Sequence, residues 1–213
     1  MIKRSKGLLI LTTIIILIPI LIGLLMWNKL PDEIPTHWNT DGDIDGWSSK
    51  VFAVFGLPAV LLALHWICVI ASSADPKSKN YHPKMIRLVL WICPVIGLVL
   101  SALVYTAALG YDLSVEIIMP LLVGLMFIIF GNLLPKCRQS YTMGIKLPWT
   151  LANEDNWNKT HRLGGKVWVL GGVVTMATAF IGNFWLLLGV LAVMIAVPTV
   201  YSYSLYRRQS VEK

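Results

Sequence analysis

The chain has 213 residues, of which 56% are hydrophobic and only 14% charged, with a net charge of +7. Soluble domains carry about 25% charged residues, and a chain of this length has no water-soluble core that could hide so much apolar side chain, so the composition points to a membrane protein. The positive charge flanks apolar runs instead of forming one continuous face, which excludes a direct nucleic-acid partner and reads as a topology signal.

Six apolar runs follow one another: Gly7–Trp27, Val51–Ala71, Ile86–Leu109, Val115–Leu134, Val167–Ile181 and Phe184–Tyr203. Lys3, Arg4 and Lys6 precede the first run, which is long enough to span and is followed by no small-residue cleavage site, so it is expected to be a retained helix. As a single helix the last two runs would measure about 55 Å, too long for one crossing of about 30 Å. The turn dipeptide Gly182–Asn183 is expected to fold them into a hairpin. The fifth run is short and is expected to begin earlier, near Gly164, or to thin the bilayer. Pro19, Pro58, Pro94, Pro120 and Pro198 lie in the other five runs and read as ordinary kinks. Gly171, Thr175 and Ala179 form a four-residue small stripe suited to helix packing.

Sixteen of the eighteen Lys and Arg residues then fall on one side, with only Lys29 and Lys50 on the other. The positive-inside rule predicts an all-α integral membrane protein of six transmembrane helices with both termini cytoplasmic. The loop 28–50 then faces outside and the loop 135–166 faces the cytoplasm. Cys68, Cys93 and Cys137 imply no disulfide framework.

The outside loop is acidic and rich in turn formers. Two prolines, Pro31 and Pro35, exclude regular helix near its start. Asp41, Asp43 and Asp45, followed by Gly46, have the spacing of the first half of a calcium loop, but Phe52 stands where the bidentate Glu belongs. The segment therefore reads as a solvated turn with no metal. His37, Trp38 and Trp47 flank it, and Trp27, Trp38 and Trp47 fit an interfacial aromatic belt.

In the second loop Asn153 is placed to cap a short helix, with Glu154 and Asp155 in its first turn and Gly164–Gly165 at its end. Trp157 and His161 share a face at i, i+4, and with Trp149 and Leu151 they form a stripe suited to a membrane surface. Lys146, Lys159 and Arg162 are candidates for lipid phosphate. The loop lacks zinc spacing, a phosphate-cradling glycine loop and a paired nucleophile and base, so no enzyme activity and no cofactor are expected.

Both loops resemble known families. The segment Leu30-Pro31-Asp32-Glu33-Ile34-Pro35-Thr36-His37-Trp38, followed by Gly42, Asp45-Gly46 and Lys50, resembles a DUF1648-like module that often precedes SdpI-type domains. The segment Gly144-Ile145-Lys146-Leu147-Pro148-Trp149-Thr150-Leu151, with Trp157, Thr160, His161, Arg162 and Gly165, is similar to the SdpI family signature, departing from it at Ser140 and Lys146. The resemblance implies a module over residues 1–71 (helices 1–2 and the loop 28–50) and an SdpI-like domain over 72–213 (helices 3–6 and the loop 135–166). It implies a multi-pass immunity protein of the bacterial plasma membrane that confers resistance to a secreted toxic peptide and can tether a cytoplasmic transcriptional repressor. His37, Trp38, Asp41, Asp43, Asp45 and Trp47 are the toxin-contact candidates. Lys146, Pro148, Trp149, Thr150, Trp157, His161 and Arg162 are the motif and partner-binding candidates. Membrane lipids are the remaining partner. The alternative is a small transporter, for which His65 is the one imidazole within a span.

Overall fold

A computed structural model describes residues 5–211. Lys3, Arg4 and Lys213, which enter the charge asymmetry, lie outside the described residues. The elements are α1 (Lys6–Leu25), β1 (Glu33–Trp38), β2 (Ile44–Ser49), α2 (Leu57–Ala74), α3 (Pro83–Ala108), α4 (Val115–Leu133), α5 (Pro148–Ala152), α6 (Glu154–Thr178) and α7 (Phe184–Val211). Among the described residues five helices are long and apolar enough to cross a membrane: α1, α2 with the turn before it, α3, α4 with the 3-10 turn Leu134–Lys136, and α7. The run Val167–Ile181 is mostly the second half of α6, whose first half is polar. Length and composition therefore mark five helices, one fewer than the six expected.

These runs are helical because a spanning backbone must satisfy its own hydrogen bonds. Leu21, Leu25, Ile67, Ile70, Ile195 and Val200 stand exposed on the helices, as lipid-facing side chains do. Pro58 supplies no N–H and crowds the carbonyl four residues before it. The chain there forms a π-helical turn, Phe52–Gly56, ahead of α2, an accommodation known at helix irregularities.

The chain divides into two compact units, residues 1–74 with 86–115, and residues 75–85 with 116–213. In the first, Leu30, Ile34, Ala53, Val54, Val104 and Tyr105 form a buried cluster under the β-hairpin. Leu9, Val69 and Leu90 form another. The Tyr105 hydroxyl donates to the Pro19 carbonyl at 3.0 Å. His65 is fully buried, its Nε2 lies 3.4 Å from the Thr12 hydroxyl, and its Nδ1 has no partner among the described residues.

The second unit is built on α6. Gly165 and Gly172 lie against Gly131 and Gly124 of α4, so closely that a Cβ on Gly172 would sit 2.6 Å from the Gly124 carbonyl. Gly171 faces Met194 of α7, as expected of a small stripe suited to helix packing. The expected end of the helix at Gly164–Gly165 is corrected, since α6 runs on to Thr178. These glycines continue the helix and serve close approach, since a Cβ on Gly165 would meet the Gly131 carbonyl at 2.7 Å and the Pro135 ring at 2.9 Å. The α6–α7 hairpin forms as expected. Gly182 takes a positive φ of 66°, and the Asn183 side chain accepts from the Leu186 N–H at 3.1 Å.

Candidate functional site

In the first unit the turn-rich segment 28–50 folds, from Glu33 to Ser49, into a β-hairpin. β1 and β2 pair antiparallel, with Pro35 opposite Trp47, His37 opposite Gly46 and Trp38 opposite Ile44, and the register shifts around His37. Pro35 is tolerated because it lies at an irregular pairing next to the bulge. The inward side chain Ile34 is fully buried. Lys50 pins the base, bonding the Asp32 carboxylate at 3.1 Å and lying 5.2 Å from the centre of the Trp27 ring.

The tip follows from Asn39, whose side-chain oxygen accepts from the N–H groups of Asp41 and Asp43 at 2.9 Å each, an Asx arrangement. Asp45 is taken by His37, with Nδ1 and Oδ1 2.5 Å apart and the imidazole exposed. Of the six toxin-contact candidates, His37 and Asp45 therefore pair with each other, Asp41 sits exposed on the turn, and Trp47 is exposed on β2. Trp38 and Asp43 line a cavity of about 340 Å3 with Ile44, Gly110, Tyr111 and Asp112. Tyr111 and Asp112 escaped the sequence reading because their proximity to the hairpin is long-range. Two aromatic rings and two carboxylates around one cavity can hold a cation.

In the second unit the motif residues close on a buried core. Trp157 is fully buried, donates from Nε1 to the Cys137 carbonyl at 2.7 Å, and stacks on His161 at 4.1 Å between ring centres. The Ile145 N–H donates to His161 Nε2 at 2.9 Å, so Nδ1 carries the proton and donates to the Trp157 carbonyl at 2.8 Å. Both nitrogens are thereby used, and neither is left for acid–base work or a metal. Burial drives the His161 pKa down to about 4, against the raising effect of the Trp157 carbonyl. Burial likewise pushes the Cys137 thiol up to about 12.

Gly144 is required here, because its φ is +108° and a Cβ would sit 2.5 Å from His161 Nε2. The buried Thr150 hydroxyl accepts from the Leu147 N–H at 2.9 Å and shapes the start of α5. Trp149 is half-buried, donating to Ser202 at 2.9 Å and stacking on Tyr206 of α7. The expected membrane-surface stripe is thus corrected: Trp157 and His161 point into the protein and Trp149 packs on α7. Asn153 does cap α6, accepting from the Asn156 N–H at 3.0 Å. Lys159 is paired with Asp155 at 2.8 Å. Lys146, Pro148 and Arg162 are exposed. Ser140, a departure from the family pattern, is buried and closes a turn with Met143.

Asp75, not among the residues singled out from the sequence, organises this loop from outside it. One carboxylate oxygen accepts from the Tyr81 hydroxyl at 2.7 Å, the Tyr141 and Thr142 N–H groups at 2.8 and 3.0 Å, and the Thr142 hydroxyl at 3.0 Å. The other accepts from the Lys77 N–H at 2.8 Å. Burial raises its pKa, but the hydrogen bonds from Tyr81, Lys77, Thr142 and Tyr141 outweigh that and hold it below the usual carboxylate value. Tyr81 is pushed up to about 12, by burial first and then by the adjacent carboxylate. Gln139 completes the network, accepting from Lys77 and donating to the Thr150 and Leu151 carbonyls at 3.0 and 2.9 Å. The available signal was an Asp-Pro turn dipeptide, with its one acidic residue among Lys77, Lys79, Lys84 and Arg87.

Comparison with known proteins agrees with the loop motifs. Residues 136–202 match the SdpI/YfhL protein family, and residues 14–62 match DUF1648, a domain of unknown function. The immunity protein SdpI of Bacillus subtilis is 28% identical over 206 residues, covering 93% of this chain and 96% of that protein. No solved structure matches the chain. The chain is therefore a multi-pass protein of the bacterial plasma membrane that carries an SdpI/YfhL family region behind a DUF1648 module.

Proposed function

We propose that this chain is a membrane immunity protein that protects the cell from a secreted toxic peptide by holding it at the β1–β2 hairpin. The observation that carries the reading is the similarity, along nearly the whole of both chains, to a protein named for immunity. The cavity at the hairpin tip supports where the peptide would bind. Trp38 and Tyr111 bring aromatic side chains and Asp43 and Asp112 acidic ones to its lining, a set suited to a Lys or Arg side chain or an amino terminus.

In this reading α6 makes the sixth crossing, and both termini with the loop 135–166 face the cytoplasm. The exposed residues of α6 support it, changing from Lys159, Arg162 and Lys166 to Leu170 and Val173 along one stripe. A transcriptional repressor would dock on the exposed motif residues Lys146, Pro148 and Arg162. Thr150, Trp157 and His161 are enclosed and would support that surface from beneath.

The test is expression in a sensitive strain challenged with several membrane-active peptides. Wild-type protein should protect, and Trp38→Ala or Asp43→Asn should weaken protection at unchanged protein level. Protection undiminished by both substitutions would move the peptide site elsewhere. The transporter alternative draws on the unpartnered Nδ1 of buried His65. It requires solute flux in proteoliposomes that His65→Ala abolishes.

A further inference from the structure

The groove beside the end of α4 and α6 serves neither reading above. It encloses about 450 Å3 and is lined by Gly131, Asn132, Gly165, Lys166, Val169 and Leu170, a size that holds a small molecule. The two glycines make the room, since neither carries a side chain where the helix backbones touch. One wall is apolar and the rim carries an amine. Lys166 is exposed and makes no ion pair among the described residues.

The position of the groove along α6 says what surrounds it. Lys159, Arg162 and Lys166 are exposed at i, i+3 and i+7, and the next residues on that stripe, Leu170 and Val173, are 67% and 53% exposed. A face that turns from basic to apolar marks the headgroup boundary at Lys166. The other wall is the end of α4, itself long and apolar enough to cross the membrane. The groove thus opens where phosphates meet acyl chains.

We propose that this groove binds one anionic phospholipid, its phosphate against the Lys166 ammonium and the start of an acyl chain along Val169 and Leu170. A zwitterionic lipid would bring its own cation toward Lys166. A free phosphate would leave the apolar wall uncovered. The site rests on the proposed crossing of α6 and not on the peptide reading.

Native mass spectrometry of the full chain, released from detergent holding equal phosphatidylglycerol and phosphatidylcholine, tests it. Wild-type protein should retain phosphatidylglycerol preferentially, in a form that excess inorganic phosphate does not displace. Lys166→Gln should lower that preference about fivefold, the effect of one basic residue at a membrane surface. Lys166→Arg should keep it. Leu170→Asn leaves every charge in place and should lower retention of both lipids. Wild-type preference in Lys166→Gln, unchanged retention in Leu170→Asn, displacement by phosphate, or an equal loss in Lys79→Gln, which does not line the groove, would each overturn the proposal.

Discussion

The hairpin of the first unit and the loop 135–166 of the second both carry sequence motifs, yet they use their residues in opposite ways. In the hairpin the polar candidates stand exposed, and a single pair, His37 with Asp45, holds two of them together. In the loop the candidates Thr150, Trp157 and His161 are enclosed and hydrogen-bonded to the backbone of their own segment. A family-like signature in the loop therefore marks residues that make it fold. In the hairpin it marks a scaffold that presents side chains.

The sharpest way to break this contrast is Asp75→Ala. The substitution leaves the N–H groups of Lys77, Tyr141 and Thr142 without their acceptor, and the Tyr81 hydroxyl with Thr142 alone. Each buried donor left unpaired costs about 1–3 kcal/mol, so a loss of about 3–5 kcal/mol is expected, read as a large fall in Tm of the detergent-solubilised protein. An unchanged Tm would mean that the loop does not depend on its buried carboxylate. Gly144→Ala should come next, at about 2–4 kcal/mol, combining backbone strain at positive φ with a collision against two packed rings.

The pH dependence separates these groups. The folded pKa of His161, near 4, lies below its ordinary 6.5, so between those values the unfolded chain binds more protons than the folded one. Its contribution is complete above pH 6.5 and is lost as pH falls toward 4, by up to about 3 kcal/mol. Asp75, held below its ordinary 3.8, contributes above that pH and loses its contribution only below it. Thermal melts from pH 7 to 4 should therefore slope downward, and His161→Gln should flatten the slope while Asp75→Asn should not.

How much of this the sequence carried depended on the range of the interaction. The aliphatic runs, the Asn153 cap and the Gly182–Asn183 turn are local signals, and each appears in the structure. The hairpin was hidden because β1 contains Pro35 and β2 is largely polar, so neither shows the alternation of a strand. Gly164–Gly165 reads locally as a helix stop, and only the arrival of Gly131 and Pro135 from α4 reveals close packing. Asp75 finds its partners 66 and 67 residues away, beyond any local pattern. Tyr111 and Asp112 complete the cavity at the hairpin tip in the same long-range manner.

The smallest stability effect should carry the largest functional one. Asp43 is exposed at the hairpin tip and its backbone, not its carboxylate, makes the turn bond to Asn39. Asp43→Asn keeps size and backbone, so Tm should move by less than about 0.5 kcal/mol equivalent. Asp112→Asn in the same cavity lining should behave alike. If the cavity holds a cation of the peptide, each substitution should weaken protection, and the double variant should weaken it by less than the two losses combined, because both carboxylates serve one charge. Measured as the peptide concentration that halves growth, full additivity would separate the two residues into independent sites. Protection lost together with Tm would make the hairpin tip structural, as the loop of the second unit is.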